Sequence, residues 1–403
     1  MRKTLLIRFI LAILLLSAAL SVSDIFDRLP ASPGEIINEM YDGYSGILKL
    51  WICEGWTPGA GSLSRWLNSA SERFEKTHDG VYVQISYVSP QTLAAFNYAP
   101  ENPPDILLFS SGMLNDKSDL IPIEAPETIL PGLQTNLDGL CVPVAMGGWA
   151  WAVNAQLTGT ISGAKIAFPN DEQYAHPSVA LTAMLTGNCE DTPSESGSSS
   201  RYGMDFGLPS PTLPPNETKT QNRKRREIIP GSESIQSDDA YRLFTLSEAD
   251  ALLVSQREIS RLESLSQSGR APDYRIITTG EAYTDQVTYA SACGLSKNHA
   301  EEKQALSKEF ILFLLSDDMQ SRLSSAKALR VTKGGALYSS SSAFFELERF
   351  YTENRICTPG AFPQSTPAIP KEEIDSLLEG SGSAQDFFYR LFPQQSLSQS
   401  FRF

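Results

Sequence analysis

The sequence predicts an α/β protein built as two lobes around a cleft, and three observations carry that reading. Between residues 46 and 109, strand-like apolar runs and a helical-period run alternate in the order strand–helix–strand–helix–strand. The same alternation returns between residues 149 and 329. A chain of 403 residues has length for two to three domains, and its 41% hydrophobic content supplies a sizeable core. A wholly disordered or fibrous chain is thereby excluded.

Ile47–Cys53 is rich in β-formers and runs into the loop Glu54-Gly55-Trp56-Thr57-Pro58-Gly59. Leu63, Trp66, Leu67, Ala70 and Phe74 then fall on one helical face, with Ser62 as the candidate N-cap. Val81–Val88 predicts a second strand with Val81, Val83, Ile85 and Tyr87 on one face. After the breaker Asn102-Pro103-Pro104, Ile106–Phe109 predicts a buried parallel strand. In the second half, strands are expected at Trp149–Val153, Ala251–Val254, Tyr274–Ile277 and Val287–Ala290. Helices are expected at Glu258–Leu265, Glu301–Leu315, Asp318–Leu329 and Lys371–Leu378. The chain is expected to pass between lobes near Pro143–Trp151 and to return near Tyr283–Asp285.

The ends and one internal stretch break this grammar. Arg2, Lys3 and Arg8 flank or interrupt the apolar run Ile10–Leu16, which is followed by Ser17, Ala18 and Ala19. Basic, apolar and small zones in that order describe a secretory leader. Cleavage after Ser21 or Ser23 and retention as a membrane anchor both remain open. No Cys accompanies the leader, so a lipoprotein tether has no attachment point. The stretch 190–237 is rich in Ser and Pro, carries the run Asn222-Arg223-Lys224-Arg225-Arg226 and the sequon Asn216-Glu217-Thr218, and reads as a flexible insertion. The expected division is residues 1–23 as signal peptide or anchor and 24–45 as spacer. Residues 46–145 with part of 290–335 form lobe 1, 146–289 form lobe 2 with the insertion 190–237, and 336–403 form a C-terminal helical segment packing on the lobes.

Charge and cysteine content bound the partners. The formal net charge is −14, and removing the three leader cations makes it about −17, since no acid precedes Asp24. Nucleic acid is therefore not an expected partner, because phosphate binding needs clustered Lys and Arg. Cys53, Cys141, Cys189, Cys293 and Cys357 are widely spaced with no C-x-x-C, so no zinc or redox motif is present. Export permits disulfides, and their pairing stays open beside the alternative of buried thiols.

Four segments together resemble the extracellular solute-binding proteins of ABC importers, the family 1 group that includes maltose- and oligosaccharide-binding proteins. Leu48–Trp51, the loop Glu54–Gly61 and the helix end Phe74-Glu75-Lys76 look like that family's opening strand, ligand loop and "FEK" helix. Pro103-Pro104-Asp105-Ile106 looks like its "GPDI" strand, and Val142-Pro143-Val144 with Trp151-Ala152-Val153-Asn154 looks like its crossover. Ala305–Ser316 with Gln320 looks like its "A…F..FLLS…Q" helix pair. The likeness spans most of residues 46–335. It departs at the missing lipobox Cys, at the insertion, and at Gln256-Arg257, where sugar binders often carry an aromatic.

The resemblance implies a type II periplasmic-binding-protein-like fold with the ligand cleft between hinged lobes. It implies a monomeric, extracytoplasmic bacterial receptor that captures a small solute, carbohydrate foremost, and delivers it to an ABC permease in the membrane. It implies no cofactor, no metal and no enzymatic activity. An anchored extracellular sensor or structural module reusing the fold is the alternative.

In open α/β sheets ligands sit beyond the carboxyl ends of the strands, and a captured solute needs aromatic surface and a few convergent polar groups. Those positions hold Trp56 after the first strand, Ser110 and Ser111 after Ile106–Phe109, and Trp149 at the crossover. Gln256 and Arg257 follow Ala251–Val254, and Tyr283 and Asp285 precede Val287. Each has a second reading: lobe packing for Trp56, helix capping for the serines, a salt bridge for Arg257, and a turn or hinge role for Tyr283 and Asp285. Trp151 shares a strand face with Trp149 and is expected in the core. Enzyme chemistry lacks its parts, since there are only three His, no H-E-x-x-H, no G-x-S-x-G and no Walker-type loop.

Overall fold

The computed structural model describes residues 44–96, 103–133, 139–156, 164–169, 177–185, 236–270, 272–295, 300–362, 369–378 and 382–392. The leader, nearly all of the spacer and insertion, the sequon, His176, His299 and Cys189 lie outside them.

Strand β1 (Gly46–Cys53) buries Leu48, Leu50 and Ile52 on one face. Each such side chain contributes roughly 1.5–3 kcal/mol by leaving water. Helix α1 (Ser64–Glu75) covers the sheet with Trp66, Leu67, Ala70 and Phe74. Its N-cap is Leu63 rather than Ser62, and the Leu63 amide donates to Glu54 Oε1 at 2.8 Å. The Ser62 hydroxyl still accepts from Ser64 N at 3.1 Å, so Ser62 and the Glu54 carboxyl both satisfy amides at the helix start. Strand β2 (Val81–Tyr87) pairs parallel with β1, followed by the short helix α2 (Pro90–Ala94) and strand β3 (Ile106–Ser110), buried throughout and parallel to β1. Strands β4 (Leu120–Ile121) and β5 (Val142–Met146) complete the segment before the crossover.

The chain then leaves this sheet. Gly147, Gly148 and Trp149 link β5 to β6 (Ala150–Asn154), the first strand of a second sheet. Strand β7 (Ile166–Ala167), helices α3 (Pro177–Leu185) and α4 (Ser237–Thr245), strand β8 (Ala251–Val254), helix α5 (Gln256–Gln267) and strand β9 (Tyr274–Ile277) follow. This sheet has the order β7-β8-β6-β9, with β6 antiparallel to both neighbours. The chain returns with β10 (Val287–Cys293), fully buried and antiparallel to β3, β4 and β5. The first sheet thus has the order β2-β1-β3-β10-β4, with β5 on the same edge of β10 as β4.

Helix α6 (Ala300–Leu314) and the five-residue α7 (Asp317–Ser321) pack on the first lobe; Gln320 Nε2 donates to Val144 O and Trp66 Nε1 to Met319 O. The helix expected over Asp318–Leu329 is shorter. It becomes a 3-10 turn at Arg322–Ala326 and stops at Lys327, whose φ is +52°. Beyond it Leu329 bridges Met146, and Val331 N donates to Gln320 Oε1. Sheet-like pairing with the crossover strand ends the helix there. Helices α8 (Phe344–Glu353), α9 (Lys371–Leu378) and α10 (Ala384–Leu391) close the described chain. Of these the sequence predicts only α9.

Cys53, Cys141, Cys293 and Cys357 are buried and not bridged to one another. Burial, with the neighbouring Glu54 carboxyl, pushes the Cys53 thiol up to about 11. Among the described residues no helix is long and apolar enough to cross a membrane.

Candidate functional site

The two crossings run side by side and are tied to each other. Gly147 N donates to Gln286 O at 2.6 Å, and Thr284 Oγ1 donates to Gly147 O at 2.8 Å. Tyr351 from α8 joins them again: its hydroxyl donates to Tyr283 O at 2.6 Å and accepts from Trp149 N at 2.9 Å. Gly148 must lack a side chain, because a Cβ there would collide with the Tyr351 ring.

A cavity of about 350 Å³ opens beside these crossings, at the carboxyl ends of β1 and β8. That volume suits a small solute. Glu54, Gly55, Trp56, Thr57 and Gln286 line it from the first lobe. Pro169, Pro177, Ser237, Leu252, Leu253 and the α5 start at Ser255, Arg257 and Glu258 line it from the second, and Trp149 lines it from the crossover.

Each tryptophan is fixed by its indole N–H. Trp56 Nε1 donates to Thr288 Oγ1 at 3.1 Å, and Trp149 Nε1 donates to Asp285 Oδ1 at 3.0 Å. The Gly55 amide donates to Ser110 Oγ at 2.7 Å, which holds the β1 loop against β3. Ser255 and Glu258 form a reciprocal cap at the start of α5: Glu258 Oε2 accepts from Ser255 N at 3.1 Å and from Ser255 Oγ at 2.6 Å. Arg257 reaches Asp238 on α4 at 3.3 Å, an exposed pair that adds little stability. Burial holds the Glu54 carboxyl above the ordinary glutamate range, partly offset by its bond from Leu63 N.

Of the eight residues expected at the site, Trp56, Trp149 and Arg257 line this cavity. Ser110 and Asp285 stand behind it and hold lining groups by hydrogen bonds. Gln256 is fully buried behind the lining, its carboxamide against Gly147. Ser111 does not line it; its amide donates to Val287 O beside β10. Tyr283 is also elsewhere: its ring is buried beside Phe388 and Phe392, in an apolar cluster where the C-terminal segment meets the second sheet and α3. Trp151 is fully buried in the same cluster, as its strand parity predicts. Glu54, Thr57, Glu258 and Gln286 escape the sequence reading. The signal that locates them is a polar side chain within a few residues of a buried strand end.

No protein-family model and no curated protein sequence matches the chain. Solved structures do match it over most of its length. A probable secreted solute-binding lipoprotein from Streptomyces coelicolor is 12% identical, covers 87% of this chain and 100% of its own, and gives a TM-score of 0.55. The ferric binding protein of Bordetella is 11% identical over 86% of this chain and 99% of its own, at 0.51. The GacH receptor of Streptomyces glaucescens, solved unliganded and with acarbose, is 14% identical over 86% and 98%, at 0.50. The chain shares the two-lobed, periplasmic-binding-protein-like fold of these structures.

Proposed function

We propose that the chain is an extracytoplasmic receptor that captures a small organic solute between two lobes and delivers it to an ABC permease. The observation that carries this reading is the cavity itself. It lies between the two sheets, is lined from both, and has two fixed tryptophans, one in the β1 loop and one in the crossing itself. The lobes divide at the crossings, near residues 146 and 286, and the C-terminal helices pack across them.

The neighbours share the fold while their names point to different cargoes, acarbose in one and ferric iron in another, so the fold alone does not choose the solute. The lining argues for an organic solute. Among the described residues no group of three or more His, Cys, Asp and Glu is placed to hold a metal ion. Two indoles with polar groups around them suit a carbohydrate-like ring, which stacks one face and hydrogen-bonds at its rim. The test is a thermal-shift screen of the purified chain against pools of sugars, oligosaccharides, amino acids and polyamines. A solute that occupies the cavity raises the melting temperature with concentration, as mass action requires. A melt that no pool moves overturns the receptor reading.

A further inference from the structure

We propose that the solute carries a protonated amine, held by the Glu54 carboxylate and the indoles of Trp56 and Trp149. The inference rests on the receptor reading above and concerns what the same cavity selects.

Several donors around the cavity are already spent. Both indole N–H groups are already given, one to Thr288 and one to Asp285. The Ser255 hydroxyl is given to Glu258. Arg257, the one cation among the described lining residues, shares the Asp238 carboxylate with Arg261. Glu54 takes one hydrogen bond, from Leu63 N, and among the described residues it meets no cation. The carboxamide oxygens of Gln286 and Gln256 lie against Gly147, outside the reach of a solute.

Charge points the same way. Glu54 and Glu258 line the cavity with Arg257, and Asp285 and Asp238 stand next to it. An anion entering here meets like charge. An ammonium meets a carboxylate whose burial is uncompensated by any protein cation, and it meets aromatic rings that attract cations. The raised Glu54 carboxyl is what a desolvated acid lacking a counter-ion shows.

The experiment is calorimetric titration of the full-length chain near neutral pH with glucosamine, glucose, N-acetylglucosamine and spermidine. The expected result is that an amine binds at least tenfold more tightly than its neutral counterpart. Glu54→Gln should then abolish most of that preference, because the variant keeps a carbonyl for Leu63 N but no charge; an unchanged melting temperature shows that the fold persists. Neutral sugars binding as tightly as amines overturn the amine inference and leave the receptor reading standing, as does Glu54→Gln with undiminished amine affinity. A chain that binds none of these and nothing from the wider solute pools overturns the receptor reading itself.

Discussion

Trp56 shows how a single side chain serves structure and site together. It is 8% exposed, so most of its ring is packed, yet it lines the cavity. Truncation to Ala therefore mixes lost binding with a core defect of about 3–5 kcal/mol. A sharper probe is Thr288→Val, which leaves the ring in place and removes the acceptor of its N–H. The expected cost is about 1–3 kcal/mol of stability, as for any buried donor left unsatisfied, read as a lowered denaturation midpoint, together with weaker solute binding as the indole loses its fixed orientation. An unchanged midpoint would mean that the indole N–H finds another partner. The same residue explains what the sequence reveals of the site. Trp56, Trp149 and Arg257 are legible because strand ends locate them and a loop gives a large side chain no local core. Tyr283 misleads because its partners, Phe388 and Phe392, lie over a hundred residues away and no local pattern announces them. Gln256 and Gln286 matter through where their carboxamides meet, at Gly147, which no periodicity encodes.

At the scale of elements, the strands are legible nearly to the residue because their side chains satisfy one local rule. Tyr274–Ile277 and Ala251–Val254 are found with the expected bounds. Helices held by distant contacts are less so. The segment after Asp317 has good helical composition, but Leu329 and Val331 pair with the crossover strand and with Gln320 instead, and the helix yields. Helix α8 goes unpredicted although it supplies Tyr351, the residue that binds both crossings at once. Its hydroxyl donates to one strand connection and accepts from the other, so Tyr351→Phe leaves Tyr283 O and Trp149 N without that partner in a buried place. The expected loss is about 1–3 kcal/mol for each group left bare, less whatever a water recovers. If, as the receptor reading requires, the two lobes turn about these crossings, the variant should also show faster amide exchange at residues 147–149 and 283–286 than elsewhere. Uniformly faster exchange across both sheets would instead assign Tyr351 to global stability alone.

For the whole molecule, the described arrangement is one in which the lobes already touch outside the crossings. Lys327 sits in the left-handed turn that follows the first-lobe helices, where its backbone oxygen accepts from Gly59 N in the β1 loop. Its ammonium reaches across to α5 of the second lobe, donating to Glu263 Oε2 at 2.9 Å and Ser260 Oγ at 3.0 Å. Ser342, just before α8, donates to the other oxygen of Glu263 at 3.0 Å. Burial alone would raise the Glu263 carboxyl, but the Lys327 charge and hydrogen bond, with those from Ser342 and the Ala343 amide, hold it below the ordinary glutamate value of 4.5. A carboxyl whose pKa is depressed in the joined state favours that state above its ordinary pKa, and the preference is lost as pH falls through the depressed value. The contact is partly buried, so it is screened less than a surface pair. A contact present only when the lobes meet biases the balance between open and closed forms by its own free energy, and a bias of about 1 kcal/mol shifts that balance roughly fivefold. Lys327→Met should therefore weaken solute affinity by about that factor at neutral pH and raise the radius of gyration measured by small-angle scattering without solute. Acidification below the ordinary glutamate range should produce the same expansion in the parent chain and little further change in the variant. An unchanged radius in Lys327→Met, with undiminished affinity, would assign the ion pair to local packing of α5 rather than to lobe closure.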